Sequence, residues 1–103
     1  MNALVSIITP SYNSAKFIAE TIQSVQNQTY QNWEMIIVDD GSSDETENVV
    51  LSIVQNDNRI QFHKLNQNSG PAVARNTAIE KASGDYMTFI DADDIWFPTF
   101  IEN

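Results

Sequence analysis

Cysteine is absent from this 103-residue sequence, which excludes disulfide bonds and thiolate-ligated metal sites. Glycine is scarce, and the three glycines form neither the Gly-x-Gly-x-x-Gly turn of dinucleotide-binding proteins nor a P-loop. A glycine-rich backbone cradle for phosphates is therefore missing. No apolar run approaches the roughly 20 residues of a membrane span, and the N-terminus lacks the features of a secretory signal. The expected location is the cytoplasm.

Positive charge is also scarce, with five Lys and Arg against fourteen Asp and Glu and a formal net charge of -9. We therefore expect no nucleic-acid partner and no electrostatic attraction to an anionic membrane. A phosphorylated ligand needs a metal ion or local dipoles to bind such a chain. Five of the acids fall in two clusters, Asp39-Asp40 and Asp91/Asp93/Asp94, and this clustering indicates candidate sites.

Hydrophobic spacing predicts four strands that alternate with three helices. The strands are expected at 4–9, 33–38, 59–65 and 86–90, the third with the polar alternation of an edge strand. The helix starts are expected at Asn13 or Ser14, at a capping box formed by Ser42 and Glu45, and at Pro71. Gly84 is expected to end the third helix, and Pro98 to lie near the start of a final helical segment.

The element order β-α-β-α-β-α-β predicts one α/β domain over residues 1–103, with a mostly parallel Rossmann-like sheet and helices on both faces. Such sheets bind ligands outside the carboxyl ends of their strands. In the strand order 3-2-1-4, strands one, two and four are adjacent, and each is followed by a polar motif. We therefore expect these three motifs to share one crevice.

The sequence Asp91-Ala92-Asp93-Asp94, named here the acidic turn, directly follows an apolar strand. Its three carboxylates repel one another, and oxygen ligands suit a hard cation such as Mg²⁺ or Mn²⁺. The alternative is a solvated turn that opens the next helix, since acids are favoured near helix N-termini. Because polar motifs also follow the two neighbouring strands, we favour the metal site over the solvated turn.

Three further side chains are candidates for ligand contacts, each with a structural alternative. Tyr12 is placed to stack on a nucleobase or to pack over a helix start. Asp40 is placed to accept a hydrogen bond from a base or a ribose, although either Asp39 or Asp40 is expected to cap the turn at 41–43. Arg75 is placed to reach an anion or Asp40, or to remain a solvated surface residue.

Four segments together resemble the nucleotide-binding half of family-2 glycosyltransferases of the GT-A fold. These are residues 5–13, 37–44 and 89–94, and residues 68–76, which resemble the loop and helix before that family's DxD strand. The resemblance covers nearly the whole chain. It implies a glycosyltransferase that takes a nucleotide-diphosphate sugar, typically a UDP-sugar, as its donor.

The resemblance also implies roles for individual residues at the base end of the donor. Tyr12 would stack on the base, and Pro10 would shape the same edge of the pocket. Asp40 would hydrogen-bond the base, and Arg75 would lie beside it.

At the diphosphate end, the resemblance implies a metal site. Asp93 would coordinate Mn²⁺ or Mg²⁺, with Asp94 as a neighbouring candidate ligand, and Asp91 would contact the ribose or the water shell of the metal. The metal would stabilise the departing nucleoside diphosphate. Transfer to an acceptor hydroxyl is expected to be inverting.

Family members normally continue beyond the acidic turn, so the catalytic base is expected after Asn103 and no catalytic residue is assigned in this chain. The chain is therefore expected to be a truncated, donor-binding domain, whose exposed core surface favours a homo-oligomer. The acceptor is expected to be a glycan or a lipid-linked sugar. A lipid-linked acceptor would hold the protein at the inner face of the membrane.

Three other functions share some of these sequence features. A donor-binding or assembly module without transferase activity of its own is favoured only by the short length. A nucleotidyltransferase shares the metal chemistry but would need more basic residues for a triphosphate. A phosphoacceptor signalling domain would need a Lys near a later strand end, whereas Lys81 lies in the third predicted helix.

Overall fold

The computed structural model describes residues 3–101. Its strands are β1 Val5–Ser11, β2 Trp33–Asp39, β3 Ile60–Lys64 and β4 Tyr86–Phe89, and its helices are α1 Ile18–Gln26, α2 Thr46–Val54 and α3 Pro71–Glu80. All three strand pairings are parallel, in the order β3-β2-β1-β4. The predicted α/β class and strand order, with strand three at an edge, are confirmed.

Helices cover both faces of the sheet because alternate strand residues point to opposite sides. Ile7 and Ile37 pack with apolar residues of α1 and α2 on one face. Ile8 and Ile36 pack against α3 on the other, where Ala74 and similarly small residues allow a close approach. Burial on both faces is typical of a parallel sheet and confirms the predicted layers.

Strand β1 runs two residues further than predicted, because Pro10 does not end it. The carbonyl of Ile8 accepts the N–H of Ile90, so the backbone of Ile8, and that of Pro10 two residues later, face the β4 side. Strand β4 pairs with β1 only as far as Phe89 opposite Ile8. The missing N–H of Pro10 therefore costs no ladder hydrogen bond, and Ser11 still pairs with β2.

The prediction that Asn13 or Ser14 caps the first helix is wrong. Helix α1 begins at Ile18 and has no side-chain cap. Asn13 adopts a left-handed conformation, with φ of 46°, and its Oδ1 accepts the N–H of Ser43. Its side chain therefore links the loop after β1 to the loop after β2.

The predicted capping box at Ser42 and Glu45 is also wrong. Helix α2 begins at Thr46 without a side-chain hydrogen bond from its cap residue. The Thr46 N–H donates instead to Asp44 Oδ1 at 3.0 Å. The hydroxyl of Ser42 donates to the buried carboxylate of Asp39 at 2.5 Å, which is a more demanding acceptor than an exposed helix end.

Gly84 does not end the third helix, because α3 already ends at Glu80. Its role is a close approach to β1. A Cβ at this position would lie 2.5 Å from the Ser6 hydroxyl oxygen and 2.7 Å from the Leu4 carbonyl oxygen. A residue without a side chain is therefore required where the chain enters β4.

A hydrogen-bonded carboxylate fixes this entry to β4. Glu34 accepts the Ser6 hydroxyl at 2.6 Å and the Ser83 N–H at 2.7 Å. Partial burial acts to raise the pKa of Glu34, but hydrogen bonds from Ser6 and Ser83 outweigh it and lower the pKa. The ionised carboxylate thus holds the amino end of β4, at the opposite end of the strand from the acidic turn.

The chain after the acidic turn has little regular structure among the described residues. Residues 98–101 form a turn in place of the helix predicted near Pro98, and residues 102 and 103 lie outside the described part. Tyr86, Met87 and Phe100 are about half exposed and help to line a groove of 240 Å³, named here the β4 groove. Across residues 3–101, no helix combines the length and apolar character that a membrane crossing requires.

Candidate functional site

A cavity of 320 Å³ opens at the carboxyl ends of the central strands. Five residues singled out from the sequence line it together: Pro10, Tyr12, Asp40, Arg75 and Asp91. They come from the end of β1, the end of β2, helix α3 and the acidic turn. The three polar motifs thus meet in one crevice, as strand order 3-2-1-4 requires.

The two aspartates that follow β2 have different surroundings. Asp39 is fully buried and accepts the Ser42 N–H at 2.7 Å as well as the Ser42 hydroxyl. It therefore caps the turn after β2, the task expected of either Asp39 or Asp40. Asp40 faces the cavity instead.

The carboxylate of Asp40 holds the loop before α3. Its Oδ1 accepts the Ser69 N–H at 2.7 Å, and its Oδ2 accepts the Gly70 N–H at 2.9 Å. Gly41, with φ of 77°, lets this loop approach closely, since a Cβ there would lie 3.1 Å from the Asn68 backbone nitrogen. A carboxylate offers about four acceptor sites, so these two hydrogen bonds leave part of its acceptor capacity unused.

Tyr12 and Arg75 present open surfaces at the same cavity. Tyr12 is 49% exposed, so its ring has a face available to a planar group. The side chain of Arg75 is exposed and forms no ion pair or hydrogen bond within residues 3–101. Its charge is therefore available to a ligand in an otherwise acidic surrounding.

The acidic turn gathers its carboxylates at the edge of this cavity. The acidic turn offers three carboxylate oxygens, one each from Asp91, Asp93 and Asp94, that lie within 4.8 Å of one another. All three residues are exposed. These side chains accept no hydrogen bond from the described part of the chain. Three hard oxygen donors on one short turn fit Mg²⁺ or Mn²⁺, both of which also keep positions for water or phosphate.

The cavity is also lined by Ser11, which belongs to the polar motif predicted to enter the crevice from strand one, and by Asn68, Gly70 and Ala74, for which the sequence predicted no ligand contact. Residues 66–70 were predicted as a loop, but no local signal placed that loop against Asp40, which lies 29 and 30 positions before its two donors. The sequence feature that could have indicated a role for this loop at the site is the resemblance of residues 68–76 to a family motif.

Comparison with known proteins agrees with the resemblance found in the sequence. The sequence model described as Glycosyl transferase family 2 matches residues 6–103. A putative teichuronic acid biosynthesis glycosyltransferase, TuaG of Bacillus subtilis, is 50% identical over 93 residues, which are 90% of this chain and 37% of TuaG. The Escherichia coli UDP-Glc:alpha-D-GlcNAc-diphosphoundecaprenol beta-1,3-glucosyltransferase WfgD is 48% identical over 99 residues, or 96% of this chain and 38% of WfgD.

Solved structures show the same likeness in three dimensions. TarS of S. aureus in complex with UDP matches with a TM-score of 0.89 and 34% identity, over 95% of this chain and 30% of the TarS chain. A mannosyltransferase of Pyrobaculum calidifontis in complex with GDP-Man and Mn²⁺ matches with a TM-score of 0.86 and 29% identity, over 93% of this chain and 29% of its own. This chain therefore spans less than half the length of each of these relatives.

Proposed function

This chain belongs to glycosyltransferase family 2 and has the GT-A fold, and we propose that it binds the donor, a nucleotide-diphosphate sugar with UDP as the nucleotide. The observation that carries this proposal is the cavity shared by Tyr12, Asp40, Arg75 and Asp91. Its volume of 320 Å³ lies at the small end of the range of about 300–1,000 Å³ for ligand pockets. This size suits a nucleoside better than a whole sugar nucleotide.

The nucleoside is proposed to occupy the part of the cavity between β1 and α3. The half-exposed ring of Tyr12 would stack on the base beside Pro10. Asp40, already oriented by two backbone N–H groups, would accept the imide N–H of uracil with a remaining lone pair. Arg75 would lie beside the base, where its unpaired charge offsets the surrounding acids.

The diphosphate is proposed to lie at the acidic turn. Asp93 and Asp94 would hold Mn²⁺ or Mg²⁺, and Asp91, which also lines the cavity, would contact the ribose or the water shell of the ion. When bound, the divalent ion supplies charge neutralisation for the departing nucleoside diphosphate. The mannosyltransferase whose structure contains GDP-Man and Mn²⁺ supports this assignment.

The proposed reaction is a single displacement with inversion. The acceptor hydroxyl oxygen forms a bond to the anomeric carbon as the bond from that carbon to the diphosphate oxygen breaks. The electron pair leaves with the nucleoside diphosphate, and the hydroxyl proton passes to a carboxylate base. We place that base after Asn103 in a longer protein, consistent with the greater length of the relatives.

The acceptor is proposed to be lipid-linked, as the name of WfgD specifies for that relative. The protein would then work on the cytoplasmic side, at the inner face of the membrane. Because the chain carries a net charge of -9, attachment would depend on the acceptor and not on anionic lipid. Flotation with vesicles that contain or lack a polyprenyl diphosphate sugar tests this, and equal binding to both would contradict it.

The donor proposal is tested by titrating the protein with UDP, with and without Mn²⁺, in a calorimeter. Wild-type protein is expected to bind UDP more tightly with the ion. Tyr12→Ala is expected to weaken binding by about 1–3 kcal/mol in both conditions, because it removes a stacking surface and no metal ligand. Tyr12→Phe, which keeps the ring, serves as the control. If UDP did not bind, or bound equally well with and without Mn²⁺, the proposal would be contradicted.

The same chain is proposed to associate with itself through the β4 groove. Apolar surface exposed at this groove favours contact with other apolar surface. Met87→Ser is expected to shift the sedimentation coefficient toward the monomer, whereas Leu51→Ser, at an exposed apolar residue on α2, should leave it unchanged. A wild-type chain that remains monomeric at high concentration would contradict self-association.

A second candidate function is a donor-binding or assembly module without transferase activity of its own. The observation that favours it is that the assigned residues of the cavity, Tyr12, Asp40, Arg75 and Asp91, are all proposed donor contacts and none is proposed as the catalytic base. Donor binding with no sugar release in the presence of acceptor would support this second candidate.

A further inference from the structure

Helix α1 and the loop that follows it contact the segment that contains the acidic turn through two buried side chains, Thr21 in the helix and Gln28 in the loop. The Thr21 hydroxyl donates to the Ala92 carbonyl at 3.0 Å. The Gln28 amide donates to the Phe97 carbonyl at 2.7 Å and accepts the Ile101 N–H at 3.0 Å. Thr21 is fully buried, and its hydrogen bond to Ala92 is buried and therefore shielded from competing water. Gln28 is 1% exposed, but its bonds to Phe97 and Ile101 are only partly buried.

The Thr21 contact lies within the acidic turn itself, because Ala92 separates Asp91 from Asp93. The side chain of Ala92 is 6% exposed and packs into the core, while the neighbouring carboxylates face solvent. The turn is closed by the Asp94 N–H, which donates to the Asp91 carbonyl at 3.0 Å. Among residues 3–101, Thr21 is the residue whose side chain donates a hydrogen bond to this turn.

Three unpaired carboxylates on one turn repel one another, and the repulsion favours any backbone change that separates them. The fixed Ala92 carbonyl opposes such a change. We infer that Thr21 is a positioning residue that holds the acidic turn in its cation-binding arrangement before a cation arrives. This inference rests on the proposed function, which places the metal at Asp93 and Asp94. Pre-organisation of this kind strengthens binding by lowering the ordering cost.

The test is Thr21→Val, which keeps the shape of the side chain and removes the hydroxyl. With saturating UDP, Mn²⁺ binding measured by electron paramagnetic resonance is expected to weaken about tenfold, the lower end of the effect of supporting residues at metal sites. UDP binding without metal should stay within twofold of wild type. Thr21→Ser, which restores the hydroxyl, should recover Mn²⁺ binding.

A second measurement uses the metal-free protein. Hydrogen exchange at the Asp94 amide should accelerate in Thr21→Val, because the turn that this amide closes has lost its support. Ser24→Ala is the matched control, since among the described residues the buried Ser24 hydroxyl bonds only to the Thr21 carbonyl, within α1. It should leave both Mn²⁺ binding and the Asp94 exchange rate unchanged.

The outcomes separate this inference from the proposed function. Unchanged Asp94 exchange and Mn²⁺ affinity in Thr21→Val would overturn the positioning role of Thr21. Equal losses in Thr21→Val and Ser24→Ala would also overturn it, because they would indicate a general destabilisation of α1. A wild-type protein whose UDP binding ignores Mn²⁺ would contradict the proposed function, while Asp94 exchange would still decide whether Thr21 holds the turn.

Discussion

Replacing Asp93 with asparagine is expected to weaken sharply the manganese-dependent part of UDP binding. The exposed carboxylates of Asp91, Asp93 and Asp94 offer oxygens within 4.8 Å of one another, and Asp93 is the proposed principal ligand. An amide supplies one neutral oxygen where a cation prefers a charged one. A charge-assisted contact contributes about 1.5–3 kcal/mol, so the affinity gained from Mn²⁺ should fall roughly ten- to a hundredfold. Calorimetric titration with and without the ion measures this difference.

The control for Asp93→Asn is Glu80→Gln, which changes the net charge of the chain by the same amount. Glu80 is the last residue of α3, roughly 14 Å along the helix from Pro71 at the cavity. If long-range charge alone governed UDP binding, both variants would behave alike. A manganese effect that survives in Asp93→Asn would show that Asp93 is not a metal ligand.

Metal-independent binding provides an internal standard in the same experiment. Tyr12 and Asp40 line the cavity through contacts that do not involve Asp93. UDP affinity measured in the presence of a chelator should therefore be nearly equal in wild type and Asp93→Asn. A fall in that affinity would indicate that the substitution had altered the cavity itself.

The strand order was predictable because its determinants are local and repeated. Apolar strands such as residues 33–38 alternate with amphipathic helices, and this alternation permits few topologies. Polar residues that alternate with Ile60 and Phe62 predict an edge strand, which the structure confirms. The position of the polar motifs at one end of the sheet then follows from the parallel arrangement.

The predicted helix caps failed because a cap is one of several uses for the same residue. Asn13 and Ser42 carry the short polar side chains that favour caps, but both are also near the ends of β1 and β2. The buried carboxylate of Asp39 needs donors, and Ser42 supplies two of them. Competition between a helix end and a buried charge is decided by tertiary burial, which spacing along the chain does not reveal.

The contacts that shape the candidate site are even less visible in sequence. Thr21 and Ala92 are 71 positions apart, and neither residue type by itself indicates a functional site. Gln28 follows a helix, where a polar residue is usually exposed and carries no functional signal. It is buried here because the chain after the acidic turn covers it. Such pairings depend on the complete fold and were absent from the sequence-based predictions.

Asp40→Asn is expected to lower both the stability of the protein and its selectivity for uracil. Asp40 is 3% exposed, and its two oxygens accept the N–H groups of Ser69 and Gly70. Asparagine would direct its NH₂ group at one of these donors. The loss of a hydrogen bond to a charged group should lower the free energy of unfolding by about 2 kcal/mol. Urea denaturation measures this change.

The control for stability is Asp85→Asn. The Asp85 carboxylate also accepts a backbone N–H, that of Leu4, but at the amino end of β4 and away from the cavity. This exposed contact should contribute less than the buried one at Asp40. Asp85→Asn should leave UDP binding unchanged, which separates effects on folding from effects on the ligand.

Base selectivity decides whether Asp40 reads the nucleotide or only supports the loop before α3. A carboxylate accepts the imide N–H of uracil, whereas cytosine presents an acceptor at the same ring nitrogen. Wild type should therefore prefer UDP to CDP by about tenfold or more. Because the amide of asparagine presents either a donor or an acceptor, Asp40→Asn should bind the two nucleotides almost equally. If both affinities fell together and the preference remained, Asp40 would only position the loop, and another group would read the base.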